Sequence, residues 1–158
     1  IARQREIELS FLNVDYAVYR MLHSPSELDV LVAPNMFGDL LIDLGGILTG
    51  SRGLTFSGNF ATTSAAVYQT NHGAAHDLTA SDRANPLGQI DSLALLLRES
   101  FALTRAAATI ERAVCAVLEA GWRTADIAEP GCRLVGTRAL AERVAEAVVT
   151  LARERELE

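Results

Sequence analysis

Two aspartates that lie four residues apart fall within one of the most apolar stretches of the chain. Asp39 and Asp43 are the charged side chains of residues 36–48, whose other side chains are apolar. On a helix this spacing places both carboxylates on one face, where they repel by roughly a few tenths of a kcal/mol unless a cation lies between them. Carboxylate oxygens are ligands that suit Mg²⁺ or Mn²⁺. The alternative is that both aspartates face solvent at a helix edge, because unpaired Asp is rarely buried.

The elements that must position these aspartates follow an α/β pattern. We predict a strand over residues 6–12, a helix over residues 14–23 and a second strand over residues 28–33. A helix over residues 36–48 follows, and its apolar residues occupy its whole circumference. A helix of that kind must be buried in a core or against another subunit.

The rest of the chain alternates irregular segments with helices. Residues 49–64 are rich in Gly, Ser, Thr and Asn, which favour irregular backbone, and a short strand is predicted over residues 65–69. A loop over residues 71–86 leads into the first of three further helices. We predict these helices over residues 87–101, 104–120 and 137–153, with Gly121 ending the second and Thr137 capping the third.

The composition is that of a globular protein and argues against two classes of partner. The chain has 158 residues, of which 49% are hydrophobic, and its net charge of −6 leaves no basic surface for nucleic acid. No apolar run approaches the roughly 20 residues that span a membrane. Cys115 and Cys132 lack metal-ligand spacing, which indicates two reduced thiols in a cytoplasmic protein. The first residues include no Met and no apolar signal core, so we interpret the start as cut or incomplete.

A longer string around the aspartate pair resembles a known signature. Residues 28–43 read LDVLVAPNMFGDLLID. This string is similar to the strand and helix signature of the β-decarboxylating dehydrogenases, the family of isocitrate, isopropylmalate and homoisocitrate dehydrogenases. The resemblance runs from about residue 8 to residue 149. It includes residues 50–59, 71–78, 84–86, 96–98 and 121–126.

This resemblance implies a partial isopropylmalate-dehydrogenase-like fold of the α/β class, in which helices flank a mixed sheet. Residues 1–52 would form part of a dimerisation and metal-binding domain, and residues 53–158 part of an NAD-binding domain. In the family, the helices that match residues 14–23 and 36–48 join a four-helix bundle between two subunits. A homodimer through this apolar helix pair is therefore expected.

The family binds Mg²⁺ or Mn²⁺ through three aspartates that are shared across its dimer. Asp39 and Asp43 match two of them. Asp15, in a Val-Asp pair that opens the preceding helix, is the candidate for the third. An aspartate at this place also interacts favourably with the helix dipole, which is a purely structural alternative for Asp15.

Residues 71–78 resemble the adenosine-binding loop of the family, and the implied cofactor is NAD. Small residues let the backbone approach a flat adenine, while His72 can stack or hydrogen-bond. The carboxylate of Asp77 can accept hydrogen bonds from a ribose diol and would repel a 2′-phosphate, so NAD is favoured over NADP. Asn85 matches an Asn that contacts adenine, although Asn before Pro is also a common turn. The cofactor-binding candidates are His72, Gly73, Ala74, Ala75, Asp77, Leu78 and Asn85.

The chain also departs from the family pattern. The family's first half supplies an Arg cluster for the substrate carboxylates and a Tyr and a Lys that act as acid and base, and we assign no catalytic residue here. Smaller departures are Ile42 in place of Ser, His76 in place of Pro, Gln69-Thr70 in place of Glu-Pro, and Arg52 in place of Gly or Leu.

Two hypotheses follow from these residues. In the first, the chain is the C-terminal portion of an NAD- and Mg²⁺- or Mn²⁺-dependent 3-hydroxyacid dehydrogenase that oxidatively decarboxylates a malate-type hydroxyacid. It would be inactive until a separate N-terminal half or a full-length homologue completes it. In the second, the chain is a truncated, non-catalytic homologue that acts as a dimerisation or binding module.

Overall fold

The computed structural model describes residues 7–156 of the chain. They form two compact units, a first unit that ends at Leu48 and a second unit that begins at Thr49. The predicted α/β class is confirmed, because helices and small β-sheets are both present. Assignment of residues 1–52 to dimerisation and of residues 53–158 to NAD binding stays a prediction. Among the described helices, none combines the length and apolarity needed to cross a membrane.

The first unit contains two helices at the predicted positions. Helix α1 spans Val14–His23 and helix α2 spans Asn35–Leu48, and a single 3₁₀ turn, Pro25–Glu27, lies between them. α1 forms because apolar residues recur on one side of a ten-residue segment that begins with an acidic first turn and ends with His23 in its last turn. That charge order suits the helix dipole.

The core of the first unit is small. Ala17 and Met21 of α1 pack against Leu41 of α2, with a few half-buried neighbours. The sequence predicts that α2 is buried in a core or against another subunit, and within a single chain Met36 and Ile47 are 65% and 68% exposed. The chain itself therefore covers one side of α2 and leaves large apolar side chains on the others in contact with water.

The two strands predicted in the first unit are not formed. Residues 7–12 and 28–33 run as irregular backbone, and Glu6 lies outside the described residues. A strand is stable only when its N–H and C=O groups pair with a neighbouring strand. In the described part of this unit no such ladder exists, and Val30 and Val32 remain exposed.

The second unit begins with a β-hairpin. Strand β1, Phe56–Phe60, pairs antiparallel with strand β2, Ala66–Thr70, so that Gly58 lies opposite Tyr68. The sequence predicts β2 within one residue but assigns residues 49–64 to irregular backbone. That assignment is wrong for β1, because pairing with β2 outweighs the weak strand preference of its Ser, Gly and Asn.

Three helices complete the second unit. They are α3, Leu87–Glu99, α4, Thr104–Glu119, and α5, Thr137–Glu156. Their facing sides enclose a core of Leu87, Ala113, Val114, Val117, Leu140 and Val144. α4 ends at Glu119, one residue before its predicted end, and Gly121 follows with a φ of 84°, in the left-handed region that glycine adopts without strain. After it, two short strands, β3 (Trp122–Arg123) and β4 (Arg133–Leu134), pair in parallel.

The start of α5 is held by the loop that precedes α3. Thr137 begins the helix as predicted, but its hydroxyl donates to the carbonyl oxygen of Ala84 at 2.6 Å rather than capping the helix. The cap comes from Asp82, whose Oδ1 accepts from the backbone N–H of Arg138 at 3.0 Å. These contacts join the later part of the loop over residues 71–86 to the start of α5.

Candidate functional site

Asp39 and Asp43 lie one turn apart on α2, as their spacing predicts, and both are exposed. The side-chain amide of Asn35 donates to Oδ2 of Asp39 at 3.3 Å. Two accessible carboxylates on one helix face offer the hard oxygen donors that Mg²⁺ or Mn²⁺ prefers, so these two residues fit such an ion as partial ligands. In a single chain they are not buried in apolar surroundings.

Asp15 lies in the first turn of α1, where its Oδ1 accepts from the backbone N–H of Tyr16 at 2.8 Å. A carboxylate in the first turn interacts favourably with the helix dipole, so this position agrees with the structural alternative for Asp15. Within residues 7–156, no group of three His, Cys, Asp or Glu side chains is arranged to hold a metal ion. One copy of the chain therefore does not assemble Asp15, Asp39 and Asp43 into a site, and a site shared between copies stays a prediction.

The predicted cofactor loop has a tightly bent backbone. Ala75 adopts a left-handed conformation with φ of 44°, immediately before the 3₁₀ turn His76–Leu78. A non-glycine residue rarely adopts this conformation, and such residues are often found at binding sites. Nδ1 of His72 lies 2.9 Å from the carbonyl oxygen of Gly73, and the carboxylate of Asp77 is exposed. Asp77 is thus accessible to a ligand hydroxyl.

Asn85 makes two hydrogen bonds at the start of α3. Its Oδ1 accepts from the backbone N–H of Leu87 at 3.0 Å, and its Nδ2 donates to Oδ2 of Asp126, also at 3.0 Å. The first contact is the turn role that an Asn before Pro commonly plays. The second ties this turn to the 3₁₀ turn Ala125–Ile127. Asn85 as a whole is half-buried.

Asp126 also holds the turn that follows the first unit. Ser51 Oγ donates to the same Oδ2 of Asp126 at 2.5 Å and accepts from the backbone N–H of Gly53 at 3.0 Å. Gly53 is required here, because a Cβ at this position would lie 2.7 Å from Cβ of Asn85 and 3.1 Å from Oδ2 of Asp126. We call Ser51, Gly53, Asn85 and Asp126 the Asp126 cluster.

The hydrogen bonds of this cluster lower the pKa of Asp126. Partial burial of the carboxylate acts to raise the pKa, but hydrogen bonds from Ser51 and Asn85, among others, outweigh it. The hydroxyl of Thr124 acts in the same direction, although it lies outside ordinary hydrogen-bond geometry. Asp126 is therefore ionised, and an acceptor only, at neutral and mildly acidic pH.

A surface depression of about 280 Å³ is lined by residues that are close in the sequence to two members of the Asp126 cluster. Arg83 lies two positions before Asn85, and Ala125 immediately precedes Asp126. Pockets for small molecules begin at about 300 Å³, so this depression is smaller than a typical ligand pocket. Its other lining residues are Asp82, Leu134, Val135 and Gly136.

The family model of isocitrate/isopropylmalate dehydrogenases matches residues 2–144. The chain belongs to this family. The 3-isopropylmalate dehydrogenase of Burkholderia thailandensis is 45% identical over 143 residues, which are 90% of this chain and 40% of that enzyme. The 3-isopropylmalate dehydrogenase of Gloeobacter violaceus is 42% identical over 88% of this chain and 38% of its own length. The chain thus spans about two fifths of these curated relatives.

Solved structures of isocitrate/isopropylmalate dehydrogenase relatives share the fold. The crystal structure of isocitrate dehydrogenase from Methylococcus capsulatus has a TM-score of 0.87 and 39% identity, and the match covers 94% of this chain and 43% of that one. For a β-decarboxylating dehydrogenase from Thermococcus kodakarensis the TM-score is 0.79 at 29% identity, over 99% of this chain and 45% of that one. Family and fold are confirmed, whereas the roles of the individual site residues stay predictions.

The sequence does not reveal the Asp126 cluster. Asp126 closes the family-like motif of residues 121–126, which is a signal that it matters but not of what it contacts. Its partners Asn85 and Ser51 lie 41 and 75 positions away along the chain. Ser51 and Gly53 belong to a Gly- and Ser-rich segment whose composition predicts only a loop.

Proposed function

We propose that the chain supplies the metal- and NAD-binding portion of a dehydrogenase that oxidatively decarboxylates a malate-type 3-hydroxyacid. The observation that carries this proposal is the exposed Asp39 and Asp43 pair on α2, in a chain that belongs to the isocitrate/isopropylmalate dehydrogenase family. A Mg²⁺ or Mn²⁺ ion held by these carboxylates, with Asp15 from a second copy, would polarise the oxygen of the reacting carbon.

The chain's own residues account for binding rather than for proton transfer. Asp77 would accept hydrogen bonds from the ribose diol of NAD and disfavour a 2′-phosphate, and the bent backbone of residues 72–78 would receive the adenosine. The reaction also requires a base for the hydroxyl proton and an acid for the enol carbon. The 158 residues include no lysine, so a lysine in either role must come from another chain segment. We place this function in the cytoplasm, where free thiols such as Cys115 persist.

Calorimetry with the purified chain tests the metal assignment. We expect Mn²⁺ to bind the wild type, and Asp39→Asn or Asp43→Asn to weaken binding at least about tenfold, since even residues that only orient metal ligands contribute that much. Asp29→Asn is the matched control, because it removes one exposed carboxylate of the same unit outside α2. Equal weakening by all three variants would show that the ion responds to net charge alone.

Turnover tests the need for further residues. The chain alone, supplied with NAD, Mn²⁺ and malate-type substrates, should produce no NADH. Addition of the N-terminal part of the Burkholderia thailandensis relative should produce NADH absorbance, and Asp39→Asn should abolish it. Turnover by the chain alone would contradict the proposal that acid and base lie outside it.

A second function, assembly through α1 and α2, is favoured by their exposed apolar side chains. Tyr19 and Leu22 of α1 and Met36, Leu40 and Ile47 of α2 are all exposed, which is a larger apolar surface than a monomeric unit of two helices usually shows. Sedimentation should detect a homodimer, and Leu40→Glu should dissociate it. Leu134→Glu, which alters an equally exposed leucine of the second unit, should leave it intact. A monomeric wild type would overturn the assembly function while leaving nucleotide binding testable.

A further inference from the structure

Two neighbouring groups fix the orientation of the Asn85 side-chain amide, one through its nitrogen and one through its oxygen. The carboxylate of Asp126 can only accept a hydrogen bond, and the backbone N–H of Leu87 can only donate one. An amide rotated by 180° would place Oδ1 against the carboxylate and Nδ2 against the N–H, so both contacts would become repulsive. The orientation of this amide is therefore fixed by its neighbours.

Two hydrogen-bonding positions of that amide remain for a ligand. An Asn side chain has two N–H donors and two acceptor lone pairs, and these two contacts use one of each. The remaining donor and acceptor match adenine, which offers an amino group at C6 beside an acceptor ring nitrogen. Hypoxanthine has a carbonyl in place of the amino group, and it would oppose the acceptor of the amide with another acceptor.

We propose that Asp126 is a positioning residue that fixes the Asn85 amide and thereby makes the site select adenine over hypoxanthine. This proposal rests on the proposed binding of NAD. The carboxylate is itself fixed, because Ser51 donates to the same oxygen and Gly53 allows this turn to approach. Arg83, two positions before Asn85, and Ala125, immediately before Asp126, line a surface depression of about 280 Å³.

Substitutions within the Asp126 cluster separate the contact with Asn85 from the other hydrogen bond of Asp126. Ser51→Ala removes one hydrogen bond to Oδ2 of Asp126 but leaves the bond from Asn85 in place. Asp126→Ala removes both. Asp126→Asn keeps an oxygen that can accept from Asn85, while it removes the negative charge. A role limited to the stability of the fold would make all three variants act on thermal unfolding without changing the preference between bases.

The experiment is calorimetric titration of the full chain with NAD and with nicotinamide hypoxanthine dinucleotide. We expect the wild type to prefer NAD by about tenfold, the range of one well-placed bidentate amide contact. Ser51→Ala and Asp126→Asn should keep this preference. Asp126→Ala and Asn85→Ala should reduce it to about twofold or less, and the double variant should be no worse than Asn85→Ala alone, because the two residues act through one contact.

Each outcome decides between the proposals. Binding of NAD with an unchanged preference in Asp126→Ala would overturn the positioning role and leave the NAD-binding function intact. Loss of preference in Asp126→Asn as large as in Asp126→Ala would overturn it as well, because charge rather than the acceptor oxygen would then matter. A wild type that binds neither dinucleotide overturns both proposals. Thermal unfolding checks each variant, and Asp126→Ser, which retains a short polar group, replaces Asp126→Ala if the alanine variant does not fold.

Discussion

In the second unit, α3, α4 and α5 enclose a continuous core in which Leu87 and Leu140 have no exposed surface. In the described part of the first unit, α1 and α2 enclose a cluster of three residues, Ala17, Met21 and Leu41. Their remaining apolar side chains, such as Met36 and Ile47, are in contact with water. The described chain thus contains one unit with a continuous core and one unit whose two helices enclose a much smaller core.

This difference shows where the fold is specified by the chain itself. The second unit also contains hydrogen bonds between distant segments, since Asp126 accepts from Ser51 and Asn85 and Asp82 caps α5. Such contacts join segments that are distant in the sequence and fix one arrangement of the backbone. The first unit has the helices but few contacts that hold them, so its stability should depend on what covers α2.

The largest expected effect is that of a cavity in each core. Leu140→Ala should lower the free energy of unfolding of the second unit by about 2–5 kcal/mol, because its side chain is fully buried. Leu41→Ala should cost about 2 kcal/mol or less, because the few neighbours of this side chain can close over the space. Amide hydrogen exchange reports both units separately, with Leu134→Ala as an exposed control. An equal loss at Leu41 would show that the first unit has a well-packed core of its own.

A smaller effect is expected from a methyl group added at two helical glycines. A Cβ at Gly88 would lie 2.8 Å and 2.9 Å from the backbone carbonyl oxygens of Gly53 and Thr55, so Gly88→Ala should destabilise the second unit by about 1–3 kcal/mol. At Gly45 in α2 the nearest atom outside the helix is Cε of Met21 at 3.9 Å, so Gly45→Ala should stabilise α2 by about 0.5–1 kcal/mol. Urea denaturation measures both. Destabilisation by Gly45→Ala would indicate that another surface approaches α2 in solution.

The features that the sequence predicts well are those determined by nearby residues. Helical periodicity locates α1 and α2, and a spacing of four residues places Asp39 and Asp43 on one face. Strands are harder to predict, because each must pair with another strand and local composition does not indicate which segment that is. Residues 28–33 have the composition of a buried strand but no ladder, whereas β1 forms from residues with weak strand preference because β2 pairs with it.

The candidate site divides in the same way. The loop of residues 72–78 is evident from its small residues and its family-like motif, and the exposure of Asp77 agrees with the predicted role. The contact of Asn85 with Asp126 depends on how α3 and α4 pack. The two residues are 41 positions apart in the sequence, so no local pattern predicts that they meet. Sequence reasoning therefore locates candidate binding residues more readily than it locates contacts between distant segments.

A pH-dependent contribution to stability is expected in the second unit. Burial, together with the nearby charge of Glu111, raises the pKa of Asp91 from 3.8 to about 6. Between these values the folded state binds more protons than the unfolded state, so the contribution of Asp91 to stability falls as the pH rises through about 6. Asp91→Asn should therefore raise the midpoint of thermal unfolding at pH 8 more than at pH 4.5. An equal change at the two pH values would contradict this assignment to Asp91.

The smallest effects are expected from surface ion pairs, which should not distinguish the two units. Glu27 pairs with Arg20 in the first unit, and Glu146 pairs with Arg143 at 3.8 Å in the second. Both glutamates are more than half exposed, so Glu27→Ala and Glu146→Ala should each change the free energy of unfolding by about 0.5 kcal/mol or less. Arg143→Ala should cost about 0.5 kcal/mol more, because the guanidinium also lies 4.3 Å from the ring centre of Trp122. If Glu27→Ala instead unfolds the first unit, as seen in hydrogen exchange, polar contacts within the chain rather than a covering partner hold α1 in place.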